Sequence, residues 1–427
     1  MKIKTSNLLK GIVFSFVWIS TLTVSGQAID FTIGVKDPCI DMPVSIVVND
    51  LIGNVNISPG RLALYEITSS GEKLIHSQLE SDYSSRLWFI LEGKSAKNSV
   101  RKFVLKLQEN PSPSTLHSDI LIHKSGENLT LLQKEQQVLS YRFATMYPPE
   151  GVNPLFKRSG FIHPLWSPGG EILTRVQAPD HYHHYGIWGP WTLTHINERK
   201  VDFWNLYEGE GTVQFAGFLS ETTGDIFSGF RALQQHIDFG AKGEDQIAIN
   251  ETLDVRVWNI NDKIRVIDYT TILNTPLPNG ILFDAYRYGG GIGFRATEKW
   301  TTDNSSVLTS EGKTRIDADG SNARWCIVEG ESEVKEGRSG ILFLSHPSNH
   351  AHPEPMRVWP IDANGGRGDM FFEFTPIRHQ SWELRKGNNY VLKYRMIVFD
   401  GKIDKETAEL YWNSFSGTPE IKINSKK

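Results

Sequence analysis

Histidine is concentrated in one short part of this chain. Four of the 13 histidines fall between residues 163 and 184, and three of them stand in the string DHYHHYGIW at residues 180–188. A buried imidazole needs a partner for each ring nitrogen, so a cluster of them lowers stability unless its members are used or reach solvent. The segment therefore predicts a site for proton transfer, although any single histidine could equally be scaffold.

The backbone of this segment limits which side chains can act together. In an extended strand, successive side chains point to opposite faces. Pro179 and Gly186 flank the run and permit a bend that would change the arrangement. Without a bend, one face would carry Asp180, Tyr182 and His184, and the other would carry His181, His183 and Tyr185.

A second group of histidines follows an apolar strand near the C-terminal end. His346, His350 and His352 come after the run ILFL at residues 341–344. Loops at strand ends often carry binding and catalytic residues. The His-x-His spacing at 181/183 or at 350/352 could hold a metal. No cofactor is certain from the sequence, and a divalent metal ion is one option.

A third group combines tyrosine, arginine and glycine. Tyr288 and Arg287 precede the glycines at 289–291, and Arg295 follows them. These glycines form no phosphate loop, because no Lys-Ser/Thr pair and no helix follow. They favour a close approach by a ligand or another strand. Either arginine could clamp a carboxylate or sulfate, or could be an ordinary surface or strand-pairing residue.

Several familiar sites are missing from the sequence, which has no GxSxG elbow and no Walker loop. A net charge of −4 and the lack of a basic run argue against nucleic acid as a partner. Aromatic residues make up 11% of the chain, which suits sugar binding or a β-sheet core. A glycosidase pair of carboxylates stays open, and the available acids are Asp180, Glu208, Glu210, Asp284 and Glu373.

The elements that must position these residues are mostly strands. Clean period-two alternation runs over 264–272 and 390–398, and residues 246–257 and 340–345 also indicate strands. The best helical pattern begins after Asp404 and ends near Phe415. We therefore predict an all-β protein, a large antiparallel β-sandwich of jelly-roll or supersandwich type, with a smaller N-terminal β domain.

The N-terminus has the order of a cleavable signal peptide. Basic residues precede an apolar stretch from Gly11 to Val24 that is too short for a membrane span, and small residues follow. We expect a signal peptide over 1–28, an N-terminal domain over 29–130 and a catalytic domain over 131–427. This order predicts a periplasmic or secreted protein without membrane insertion. Cys39 and Cys326 could pair in an oxidising compartment, and the sequence leaves that pairing and the oligomeric state open.

The three clusters resemble a family of exported Bacteroidota proteins described as PmoA-like. The resemblance covers roughly residues 135–400 and rests on the strings HPLWSPGGEILTR, DHYHHYGIW, FDAYRYGGGIGFR, ARWC and GILFLSHPSNHAHPEP. Some marine members of that family are similar to oligosaccharide dehydratases that act on a terminal uronic acid, for example in ulvan breakdown. The resemblance implies an oligosaccharide substrate and a lyase-type reaction, with a glycoside hydrolase or a non-catalytic glycan-binding protein as the alternatives.

Elimination of water from a uronic acid needs a base, an acid and a group that neutralises the carboxylate. Histidine and tyrosine are natural acid–base groups near neutral pH, and arginine is a natural carboxylate clamp. The predicted catalytic residues are His181, His183, His184, Tyr182, Tyr185 and Tyr288. The predicted substrate-binding residues, with Arg175, Arg287 and Arg295 as clamps and Trp166 and Trp188 as sugar platforms, also include His163, Asp180, His346, His350 and His352.

Overall fold

A computed structural model describes residues 28–52, 61–81, 85–108, 118–240 and 243–424. These residues form mostly β-strands, and each of their strand pairings is antiparallel. The prediction of an all-β fold built on large antiparallel sheets is confirmed. The predicted signal peptide lies outside the described residues, apart from Ala28, which begins the first strand.

One large sheet has eight strands whose side chains alternate between the core and the surface. In β20 (Ile264–Asn274), for example, Ile267, Tyr269 and Thr271 are buried while the residues between them are partly exposed. In hydrogen-bonding order its strands are β17 (Gly211–Thr222), β18 (Phe227–Asp238), β19 (Gln246–Trp258), β20 (Ile264–Asn274), β30 (Tyr390–Asp400), β26 (Arg338–Ser345), β25 (Trp325–Glu331) and β23 (Ser305–Thr309).

A nine-stranded sheet faces it, and the main apolar core lies between the two. Val255 and Ile267 from the first sheet join Ile162, Phe294 and Phe372 from the second in one buried cluster. The strands of the second sheet are β24 (Asn322–Ala323), β27 (Glu354–Val358), β28 (Phe371–Phe374), β22 (Ile292–Arg295), β14 (Ile187–Trp188), β11 (Phe161–Leu165), β10 (Gln136–Arg142), β9 (Asn128–Gln133) and β8 (Ile120–Lys124).

This part of the molecule also contains two small sheets and two short turns of 3₁₀ helix. The turns span Pro154–Phe156 and Leu206–Glu208. The histidine segment forms β13 (His181–Tyr185) in the two-stranded sheet. The four-stranded sheet contains β16 (Arg199–Val201), β15 (Thr194–Ile196), β21 (Ile281–Phe283) and β29 (Trp382–Leu384), and the two-stranded sheet contains β12 (Val176–Ala178) and β13 (His181–Tyr185).

The N-terminal residues form two further sheets around a separate core, in which Phe31, Phe89 and Phe103 pack together. The first contains β31 (Glu420–Ile423), β1 (Ala28–Val35), β7 (Ser99–Leu107), β3 (Leu62–Thr68) and β4 (Gly71–Ile75), and the second contains β2 (Cys39–Val47), β6 (Ser85–Ser95) and β5 (Gln78–Ser81).

The predicted domain boundary between residues 130 and 131 falls within β9, which pairs with β8 and β10. The C-terminal strand β31 returns to pair with β1. Cys39 and Cys326 lie in different cores, and both are free and buried. The division into two domains stays a prediction.

The helices are few and short. Helix α1 spans Val48–Ile52, and α2 spans Lys405–Ser416. Asp404 caps α2 by accepting a hydrogen bond from the Thr407 amide at 2.7 Å. Helix α2 packs against β2 of the N-terminal sheets, and the predicted late helix is confirmed.

Candidate active site

A cleft of about 430 Å³ opens beside β13. Four stretches of chain form its walls: β13, residues 192–205, residues 286–288, and Trp359. Each stretch is a strand, contains strands or follows one, so the cleft is positioned by the sheets rather than by a long free loop.

The three histidines of β13 meet at this cleft. The ring centroids of His181 and His184 lie 4.7 Å apart, those of His183 and His184 4.9 Å, and those of His181 and His183 5.4 Å. His184 therefore lies with the other two, and the separation expected of a fully extended run does not occur. Strand β13 is irregular, since its pairing with β12 shifts register, so strict alternation does not hold along it.

Gly186 ends β13 and allows the chain to turn into the nine-stranded sheet. Its φ is +66°, a left-handed conformation that favours glycine. An added Cβ would lie 2.3 Å from the carbonyl oxygen of Ile162. Any larger residue would therefore push β13 away from β11, and with it the histidines.

Asp180 fixes the position of His181. Its Oδ2 accepts hydrogen bonds from His181 Nδ1 at 2.7 Å, Arg295 Nη2 at 2.7 Å and Asn364 Nδ2 at 2.9 Å. Burial alone would raise the pKa of Asp180, but the bond from His181 and the charge of Arg295 outweigh it and hold that pKa well below its ordinary value. The ionised carboxylate accepts a hydrogen bond from the Nδ1–H group, which leaves the Nε2 lone pair of His181 available to act as a base.

His183 and His184 are held neutral by their surroundings. Burial, with the positive charge of Arg295 nearby, lowers the pKa of His183 to about 3. Burial also lowers the pKa of His184 well below its ordinary value. The His184 ring lies 5.5 Å from Trp204 and nearly parallel to it, and its Nδ1 has no hydrogen-bond partner among the described residues.

Tyr288 lies on another wall of the cleft with its oxygen already engaged by donors. Its hydroxyl oxygen accepts hydrogen bonds from Arg357 Nη2 at 3.0 Å and from Trp359 Nε1 at 3.2 Å. A phenol oxygen has two acceptor sites and one proton. Because both acceptor sites are filled, the O–H proton is left to be donated to a ligand.

The cleft is lined by more positive than negative charge. Lys200 and Arg287 both border it. Asp202 is the one carboxylate among the described lining residues, and it is bound to the protein. Its Oδ1 accepts from the amides of Trp204 and Asn205, and its Oδ2 accepts from the Thr192 hydroxyl, each at 2.8 Å. Lys200 also contacts Glu210 at 3.6 Å, so Arg287 is the main charge of the lining that favours an anionic ligand.

Three predicted members of the segment 180–188 lie away from the cleft lining. Tyr182 lies beside Phe156, with ring centroids 5.6 Å apart. The Tyr185 hydroxyl donates to the Phe156 carbonyl, and burial raises the pKa of Tyr185 to about 12. Trp188 is buried in an aromatic cluster and offers no face to a sugar.

The segment before β13 also stands apart. His163 pairs through Nδ1 with the Thr174 hydroxyl at 2.9 Å, and burial lowers its pKa to about 4. Trp166 forms an isolated bridge with Ile172. Arg175 contacts Glu298 at 3.2 Å. Arg295 is buried and bound to Asp180, so Arg287 is the one predicted clamp that borders the cleft.

The second histidine group forms no part of the cleft lining. His350 stacks on Trp382 with ring centroids 4.4 Å apart, and His346 and His352 lie near Phe415 and Trp412. The available carboxylates are also scattered, and no two of them border the cleft together. Glu208 and Glu210 lie near Asn205 and Lys200, Asp284 pairs with His195, and Glu373 is buried against the Gly289 amide.

Sequence reasoning missed several residues of this site. Lys200 lies in the short strand β16, and Asp202 and Trp204 follow that strand with no motif to mark them. Trp359 follows β27 directly, and Asn364 lies further along the same loop. Both reach the site through tertiary contacts.

The described residues contain no group of three or more His, Cys, Asp or Glu side chains arranged to hold a metal ion. Over the same ranges, no helix has the length and apolar character needed to span a bilayer.

Residues 128–413 match a family of unknown function, DUF6807. The match covers more than half of the chain, and the chain belongs to this family. The family description gives no activity, so the resemblance to oligosaccharide dehydratases stays a prediction. No curated protein matches the sequence.

Two solved structures from Enterococcus faecalis have a distantly similar fold. One is a protein of glycosyl hydrolase family 38, with 10% identity and a TM-score of 0.46 over 93% of this chain and 47% of that one. The other, an alpha-mannosidase from strain V583, has 8% identity and a TM-score of 0.43 over 94% of this chain and 46% of that one. This chain spans about half the length of either, and a similarity at this level says nothing about activity.

Proposed function

We propose that this member of the DUF6807 family is an exported enzyme that removes water from a uronic acid at the non-reducing end of an oligosaccharide. The observation that carries the proposal is that one cationic cleft is bordered by two acid–base groups. One is His181, which Asp180 holds by a hydrogen bond, and the other is Tyr288, whose hydroxyl proton can be donated to a ligand. Export is proposed from the N-terminal sequence alone.

His181 is the proposed base. Its Nε2 removes the proton from carbon five of the sugar, and Asp180 stabilises the imidazolium that results. Arg295 and Asn364 keep the Asp180 carboxylate in place. His183 is neutral and is the alternative base in the same cleft.

Tyr288 is the proposed acid. As the carbon-five proton leaves, the electron pair forms the double bond to carbon four, and the carbon-four hydroxyl departs with the phenol proton as water. Arg357 and Trp359, which already donate to the phenol oxygen, stabilise the negative charge left on it. A proton passed back from the imidazolium to the phenolate through solvent restores both groups.

Arg287 and Lys200 are the proposed partners of the substrate carboxylate. The carbon-five proton becomes acidic only when the adjoining carboxylate charge is neutralised, since removal of the proton places further charge on that group. Both cations border the cleft, and Arg287 is exposed enough to move toward a ligand. Hydrolysis with paired carboxylates is less well supported, because Asp202 is the one lining carboxylate of the described residues and is already bound.

The test is a product analysis. Oligosaccharides ending in glucuronic or iduronic acid are incubated with the protein, and product mass and ultraviolet absorbance are recorded. Dehydration lowers the mass by one water and creates a conjugated, absorbing double bond, whereas hydrolysis adds water and leaves no chromophore. Reduction of the substrate carboxylate to an alcohol should abolish the reaction, and comparable turnover of that reduced substrate would refute dehydration.

A further inference from the structure

An exposed aromatic side chain lies beside the cleft without a role in the chemistry above. Tyr207 is 61% exposed, and it stands two residues after Asn205, which lines the cleft. It belongs to the 3₁₀ turn Leu206–Glu208, which Leu206 anchors in the aromatic cluster under the cleft. The position of Tyr207 is therefore fixed by a buried neighbour, while its own ring stays at the surface.

Phe156 connects this ring to the histidines. The rings of Tyr207 and Phe156 have centroids 6.1 Å apart and planes 28° apart. Phe156 is in turn 6.4 Å from His183, with planes 23° apart. The three rings thus form a nearly aligned series from the protein surface to the cleft.

The backbone under Phe156 is well anchored. Asn153 caps its 3₁₀ turn by accepting from the Leu155 amide at 2.9 Å. The Phe156 carbonyl accepts from the Tyr185 hydroxyl and from Gln177 Nε2, the latter at 3.4 Å. A fixed aromatic surface costs little entropy when it binds a ligand, which is a property of preorganised binding sites.

We propose that Phe156 and Tyr207, with Tyr182 at their side, form a platform for the third pyranose ring of the oligosaccharide, counted from the terminal uronic acid. This inference rests on the proposed function, because it assumes that the terminal sugar occupies the cleft. A pyranose ring presents an apolar C–H face that suits an aromatic face, and the Tyr207 hydroxyl can reach a sugar hydroxyl or water. The platform replaces Trp166 and Trp188, which the sequence suggested for this role.

The continuity of the platform with the cleft favours a sugar over a protein partner. Tyr182 is the neighbour of His181 and His183 in β13, and its ring contacts Phe156 at 5.6 Å. A chain whose end lies among the histidines would therefore pass over these rings as it leaves the cleft.

Titration calorimetry with uronate-ended disaccharides and tetrasaccharides tests the platform. We expect the wild-type protein to bind the tetrasaccharide about tenfold more tightly than the disaccharide, as one aromatic stacking contact would give. Tyr207→Ala should remove this preference and leave disaccharide affinity unchanged. Tyr207→Phe should keep the preference for the tetrasaccharide. Tyr65→Ala, which removes a tyrosine from a strand of the N-terminal sheet, is the control and should also keep that preference.

The two proposals fail in different ways. A Tyr207→Ala protein that keeps the length preference, or a wild-type protein that has none, overturns the platform whatever the turnover. Wild-type protein that binds longer chains more tightly but never forms an unsaturated product overturns the dehydratase proposal alone. Light scattering on the wild-type protein and on Tyr207→Ala completes the test. A wild-type dimer that becomes a monomer in Tyr207→Ala would show that a second copy of this chain covers the ring, and would overturn the platform.

Discussion

The two histidine-rich segments of this chain, residues 180–188 and residues 346–353, have similar composition and different structures. In the first, the rings of His181, His183 and His184 converge on one cleft. In the second, each ring faces a different aromatic side chain: His346 faces Phe415, and His350 and His352 stack on Trp382 and Trp412. Clustering in sequence therefore did not determine clustering in space.

The surroundings of the two segments explain the difference. Strand β13 presents its histidines together, and Asp180 holds one of them in a defined tautomer. The second segment is a tight loop around the buried carboxylate of Glu354, which accepts from Ser345 and Asn349 at 2.9 and 2.7 Å. We expect the first segment to control activity and the second to control stability.

The largest expected effect is on turnover, from His181→Ala. Loss of the base should lower kcat roughly 10²–10⁴-fold, the usual range for acid–base groups. The melting temperature should change little, because the side chain is about 30% exposed at the cleft. Steady-state kinetics and calorimetry on the same preparation check this, and near-normal turnover would remove His181 from the mechanism.

Asp180→Asn should have the next largest effect on activity. An asparagine keeps the volume of the side chain but loses the charge that binds Arg295 and fixes the His181 Nδ1 proton. We expect kcat to fall roughly 10²-fold, within the range for acid–base catalysis. Addition of imidazole as an external base should rescue His181→Ala but not Asp180→Asn, and the opposite pattern would contradict these roles.

The pH dependence of stability should differ in sign between Glu354, which lies beneath the second segment, and His183 of the first. Burial raises the pKa of Glu354 from 4.5 to about 7, so between these values the folded protein holds a proton that the unfolded chain releases. Stability from this group therefore falls as pH rises from about 4.5 to 7. Burial lowers the pKa of His183 from 6.5 to about 3, so its contribution is lost as pH falls through that range.

Two variants separate these contributions. Glu354→Gln should reduce the loss of stability as pH rises, and His183→Asn should reduce the loss as pH falls, each by up to roughly 3 kcal/mol between pH 4 and pH 8. The free energy of unfolding from urea titrations between pH 4 and pH 8 measures both slopes. An unchanged slope in either variant would mean that the group titrates normally in the folded protein.

The smallest expected effect belongs to His350→Ala. Its ring stacks on Trp382 with planes 4° apart, and loss of that contact should cost about 1 kcal/mol of stability. Turnover should stay within about twofold of wild type, because His350 does not line the cleft. A kinetic defect comparable to that of His181→Ala would place the second segment in the active site after all.

Local chemistry was enough to predict the elements of this fold. Strands β20 and β30 were evident from their period-two alternation, because a half-buried strand must alternate apolar and polar faces. Helix α2 was evident from its cap at Asp404 and its apolar spacing. The importance of the segment 180–188 could also be inferred, since so many imidazoles close together are costly in an ordinary core.

Tertiary structure alone decided which side chains share the cleft. Asp180 and Arg295 are 115 positions apart, and no local pattern could distinguish buried Arg295 from exposed Arg287. Trp359 follows β27 and Tyr288 precedes β22, and they meet because both strands pair with β28 in the nine-stranded sheet. Because the pairing of β13 is irregular, His184 lies on the same face as His181 and His183, whereas strict alternation would place it on the opposite face. The sequence determined which elements form, but the direction of each side chain depended on sheet pairing between residues far apart in the chain.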